Sequence, residues 1–235
     1  MRENTLKAIW TYRETVVYGW RQPGRAGWLS VLTVASTLLW SVLALAQQRE
    51  SIGQVASLEG QATVRHAGSS EAMSLSVQNP VYRDDTIQTL EASKIKLVLI
   101  DGTQLTLGER GTMTLSKFVY APQHNTHQGV VSITRGFFRA VAHKVLPQTA
   151  FEVRTATAVA AVRGTQWLGE VTPEATAIVV LEGEVTVVQA DAKVRGKVVL
   201  TPGQGTDVHG KNPPTAPKKW PEERVSKLQR ATALP

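Results

Sequence analysis

The chain has 235 residues, no cysteine, and 26 Lys and Arg against 19 Asp and Glu, a formal net charge of +7. Without cysteine there is no disulfide, thiolate metal site, thiol nucleophile or lipidated cysteine anchor, so any folded part holds together by burial alone. The charge sits at the two ends of the chain and leaves residues 47–210 near neutral, which removes the main support for a nucleic-acid partner.

Residues 1–25 carry Arg2, Lys7, Arg13, Arg21 and Arg25 against Glu3 and Glu14. Ala26 to Ala46 follows as 21 residues without a charged side chain, ending in Ala44-Leu45-Ala46 before Gln47. A basic leader, an apolar run and small residues at its end read as a secretory signal peptide. The run is also long enough to stay in a bilayer as a permanent anchor helix. Both readings keep the basic end in the cytoplasm and export everything after residue 46. Trp10, Tyr12, Tyr18 and Trp20 make the leader unusual. It reads either as an amphipathic segment on the membrane face or as chain upstream of the true start.

From Ile52 the pattern changes to period-two alternation broken by turn residues. Val55 to Val64 reads as two short strands about Glu59-Gly60, and Asp84-Asp85 as an acidic turn. Ile95, Leu97 and Leu99 share one parity, Asp101-Gly102 follows, and Leu105 and Leu107 resume it. Asp-Gly between alternating runs predicts a tight hairpin. Ile178 and Val180, Glu182-Gly183, then Val185 and Val187 repeat that design, which predicts two similar halves. Phe137-Phe138 reads as one residue in the core and one at an edge or interface. Many short strands with frequent turns predict an all-β body over residues 47–210: a sandwich, a barrel or a solenoid-like roll. Residues 211–235, with Pro213, Pro214, Pro217 and Pro221, read as a basic Pro-rich tail. Within it Lys211 to Pro221 reads as a stiff linker or disordered segment and Pro221 to Arg230 as the one stretch with helical periodicity, and the tail's charge suits an acidic surface such as anionic lipid.

The run TATAVAAVRGTQWLGEV, Thr155 to Val171, is small and β-branched up to Arg163-Gly164-Thr165 and then resumes as a strand carrying Trp167. Gly164 is the residue that takes positive φ at such a break. Arg163 beside it either presents its guanidinium to a partner's carboxylate or pairs within its own domain. Arg163, Gly164, Thr165 and Trp167 are the candidate binding residues, the other reading being that the motif is purely structural.

Other chemistry is sparse. His124 and His127 are spaced for a metal but fall in the polar loop Ala121–Gln128, where solvation is the expected state. His66, His143 and His209 are isolated. No nucleophile-elbow or phosphate-loop pattern is present. No cofactor, metal or catalytic residue is expected, and a binding module is favoured over an enzyme.

In order, VYRDDTIQT, KIKLVLIDGTQLTLGERGTMTL, ITRGFFRAV, FEVRTATAVAAVRGTQWLGEV, AIVVLEGEVTVV and VVLTPGQGTDV closely resemble the FecR-type periplasmic domain, over roughly residues 50–212. The resemblance implies an all-β periplasmic module without catalytic activity. The best-known members relay iron-siderophore occupancy at an outer-membrane receptor to a cytoplasmic sigma factor. They hold that factor with an N-terminal domain for which the 25 residues before the apolar run are too few. The expected function is a non-catalytic binding or signalling module contacting a protein or envelope polymer, with inner-membrane contact through residues 26–46. The alternative is a structural envelope protein tethered by its basic tail.

Overall fold

A computed structural model describes residues 49–124, 126–142, 148–162 and 164–234. The basic leader and the apolar run of residues 26–46 lie outside the described residues, and so does the helix expected there. Among the described residues no helix is long and apolar enough to cross a membrane.

The strands are β1 (Ser51–Glu59), β2 (Ala62–Arg65), β3 (Met73–Ser74), β4 (Pro80–Tyr82), β5 (Thr86–Thr89), β6 (Lys94–Leu99), β7 (Gln104–Leu107), β8 (Thr112–Ala121) and β9 (Thr126–Ala142). After them come β10 (Gln148–Arg154), β11 (Ala158–Val162), β12 (Thr165–Val171), β13 (Ala175–Glu182), β14 (Val185–Gln189), β15 (Lys197–Leu200), β16 (Gln204–His209) and β17 (Lys218–Lys219). One helix, α1 (Glu222–Ala231), ends the chain. The body is mostly β, as its alternation predicts.

The strands form two sheets joined through β9. The front sheet runs β4-β1-β6-β7-β9-β12-β13-β16-β17, using the second half of β9. The back sheet runs β3-β2-β5-β8-β9-β10-β11-β14-β15, using the first half. All these pairings are antiparallel except β9 with β10. β9 changes sheet at Gly136, whose φ of +108° suits glycine and where a Cβ would stand 2.6 Å from the Gly111 Cα. Inward side chains of both sheets, among them Ile95, Leu97, Leu105, Phe138 and Trp167 from the front and Ile87, Met113, Ile133 and Phe151 from the back, share one core. The edge strands β3, β4, β15 and β17 each pair with a single neighbour, so the layers stay open rather than closing into a barrel.

The Asp101-Gly102 hairpin forms as expected: β6 pairs with β7, and Gly102 has φ +83°. Glu182-Gly183 does not repeat it. β13 lies in the front sheet and β14 in the back, so this turn is a corner between layers, and the expected internal repeat is not one of topology. The reason is local. Gly183, at φ +81°, lies so close to the neighbouring corner that a Cβ would be 2.5 Å from the Gly164 carbonyl oxygen. Two corners pack together there, which leaves no room for a hairpin.

The Pro-rich end is not a disordered tail. Trp220 and Leu228 are buried against Leu168 and Val179 on the outer face of the front sheet, with Phe137, Ala177, Leu181 and Val225 around them. The sequence carries the cause: β12 and β13 show apolar residues on both parities, as strands covered on both faces do. Phe138 points into the core and Phe137 outward under α1, the expected division of that pair. Glu222 and Glu223 lie in the first turn of α1 and Arg230 in the last, complementing the helix dipole. The Thr232 hydroxyl closes the helix by donating to the Leu228 carbonyl at 2.8 Å. Arg224 stacks 3.4 Å from the Trp220 ring centroid and is paired with Asp207.

Candidate functional site

The break in the Thr155–Val171 run is a change of layer. β11 ends in the back sheet at Val162, Gly164 takes φ +67°, and β12 begins in the front sheet at Thr165. A chain leaving one layer for the other must reverse its backbone sense within a residue or two, which glycine does without a Cβ penalty. Thr165 is buried, and its hydroxyl donates to the Glu184 carbonyl at 2.9 Å, binding this corner to the Gly183 corner. Trp167 is fully buried, edge-on to Phe138 with ring centroids 4.9 Å apart. Gly164, Thr165 and Trp167 are thus placed at a corner and in the core. Arg163 lies outside the described residues.

The same end of the two layers holds a pair that sequence reasoning missed. His127, expected in a solvated loop with His124, is fully buried, and its Nε2 lies 2.7 Å from Oδ2 of Asp101. Both side chains are inaccessible to solvent. The signal was parity: His127 shares the register of Val131 and Ile133, which face the core, so alternation carried back along β9 turns it inward. His124 remains exposed in a short 3-10 turn. Phe118 and Tyr120 stand edge-on to the His127 ring at 5.9 and 5.8 Å. Asp101 also accepts the Thr103 hydroxyl at 2.6 Å and the Thr103 amide at 3.0 Å. Burial alone pushes its carboxyl pKa up, but the hydrogen bonds from His127 and Thr103 outweigh it and hold the group below its ordinary value. Asp101 belongs to a front-sheet hairpin and His127 to the back-sheet half of β9, so the pair clasps the two layers together.

A second pair lies nearby. Asp85, also inaccessible, accepts the Tyr82 amide at 2.9 Å and lies 2.7 Å from Nδ1 of His66, which is partly exposed. Asp84 beside it takes φ +64° and is exposed, so the acidic pair is a turn, as expected. A cleft of about 270 Å³ opens there between Arg49, Ile52, Tyr82, Arg83, Asp84 and Phe118. Among the described residues, no group of three or more His, Asp or Glu side chains is arranged to hold a metal.

The back sheet ends at β15, KVVL, which pairs only with β14 and carries Val199 at 38% exposure. Its outer side therefore has no strand partner among the described residues.

Comparison with known proteins finds partial likenesses. Two crystal structures of a candidate anti-sigma factor from Parabacteroides distasonis ATCC 8503 align with the chain at TM-scores of 0.48 and 0.49 and identities of 20% and 19%. In each case the alignment covers 60% of this chain and 62% of the other, so the chain spans less than two thirds of those proteins. No curated protein matches. Residues 85–186, from the turn before β5 into β14, match the family described as FecR protein. They form the middle of both layers, and the strands before and after them extend each sheet outward. Over residues 85–186, then, the chain is similar to the FecR family.

Proposed function

We propose that the body is a non-catalytic signalling module of the periplasm that contacts a protein partner by strand addition at β15, exported or anchored through residues 26–46. The observation that carries this reading is the open β15 edge, four residues of strand paired with β14 on one side only, with the exposed Val199 among them. An exposed edge is a template for a partner's strand, main-chain pairing giving affinity and alternate side chains specificity. The likeness to the FecR family supports the signalling role. The polar groups at the layer corner support it differently: Thr165 and Trp167 are committed to packing, so recognition falls to another surface. The tethering alternative loses its free segment, because Trp220 and Leu228 are built into the fold.

A photo-crosslinking residue at Val199 tests the proposal in living cells, with the same residue at exposed Gln229 on α1 as reference. The expected result is a discrete crosslinked protein species at position 199 only, lost on adding Val198→Lys at an unchanged melting temperature. Equal labelling at both positions, or none at 199, removes the edge as the contact.

A further inference from the structure

The outward face of the back sheet carries a groove that the edge contact does not use. It lies over β8, β9 and β10, has a volume of about 490 Å³, and is lined by Ser116, Lys117, Gln128, Val130, Glu152 and Arg154. Its chemistry is set by a bulge. The register between β8 and β9 shifts between Thr114 and Lys117, so two consecutive residues, Ser116 and Lys117, both face outward while Phe118 still turns into the core. Bulges re-aim side chains in this way, often beside functional sites.

Around the groove the groups alternate in character. The Ser116 hydroxyl pairs with that of Ser132 at 2.8 Å. Arg154 donates through Nε and Nη2 to one oxygen of Glu152, Oε2, at 3.0 and 2.8 Å, so the other oxygen takes no part in that pair. Gln128 offers both a donor and an acceptor. Lys117 has no ion-pair partner among the described residues. Val130 gives a small apolar floor between them.

We infer that this groove binds a carboxylated saccharide, its carboxylate at Lys117 and its hydroxyls on Gln128, Ser116 and Glu152. An extended peptide is the poorer match. Over β9 and β10, which have a paired strand on each side, the backbone groups are already spent on neighbouring strands, so there only side chains are free to recognise a ligand. Side chains that mix donors and acceptors around one free cation suit a ring bearing several hydroxyls and one negative charge. The inference stands apart from the β15 edge and survives if that contact fails.

The test is titration calorimetry of the full chain with trigalacturonate, its neutral methyl ester, and a tetraglutamate peptide. The expected result is saturable binding of trigalacturonate, about tenfold weaker for the ester and for Lys117→Glu. Lys117→Gln serves as the milder variant, and melting temperatures control for folding. No saturable heat with trigalacturonate overturns the inference. So does unchanged affinity in both Lys117 variants, or tetraglutamate binding as tightly, which would make the groove a plain anion site.

Discussion

The two sheets share one core but treat their outer faces in opposite ways. The front sheet is covered: β17 and α1 lay Trp220, Val225 and Leu228 over Leu168 and Val179, so β12 and β13 are buried on both sides. Among the described residues nothing covers the back sheet, and along β5 and β8 its outer face is a row of half-buried hydroxyls, with Thr86 and Thr114 joined at 3.0 Å and Ser116 and Ser132 at 2.8 Å. The composition of each face explains its fate. Outward apolar residues need a third layer, whereas outward hydroxyls are satisfied by one another and by water. Surface left open by the fold is surface available to partners, which is why both proposed contacts lie on the back sheet.

Three measurements break or sharpen that contrast. The largest effect belongs to the cover: Trp220→Ala should cost about 3–5 kcal/mol in denaturant unfolding, since it empties the space over Gly205, where a Cβ would stand 2.3 Å from the indole. A cost below about 1 kcal/mol would mean that α1 merely rests on the sheet.

An intermediate effect belongs to the clasp that holds the layers whatever covers them. The folded state keeps the Asp101 carboxyl below its ordinary value, so its contribution is present in full above about pH 4 and is lost as pH falls through the lowered folded-state value. Asp101→Asn should cost about 1–3 kcal/mol at neutral pH and flatten the acid limb of stability against pH. An unchanged acid limb would assign that loss to other carboxylates.

The smallest effect belongs to the bare face. Thr114→Val keeps the β-branched shape and removes one hydroxyl of a half-buried pair, so its melting curve should lie within about 0.5 kcal/mol of the parent. A larger loss would show that the hydroxyl row supports the sheet and is not simply free surface.

Much of this was legible in the chain. Alternation set the strands, Asp101-Gly102 set its hairpin, and Gly164 marked a break that does need positive φ. The division of Phe137 from Phe138 also followed from parity. Glu182-Gly183 misled because a two-residue glycine turn looks the same whether its flanking strands pair or part. His127 misled because polar neighbours in the Ala121–Gln128 loop hid a parity that continues from Ile133.

By itself, the order of residues determined which segments are strands, which side chains point inward, and the absence of disulfides, because period-two alternation and glycine's backbone freedom are local properties. Tertiary structure decided which strand joins which layer, that the proline-rich end becomes a cover, and that Asp101 meets His127 across 26 residues of chain. Those outcomes depend on contacts between segments distant in sequence, and no local pattern records which distant surface is present to complete them.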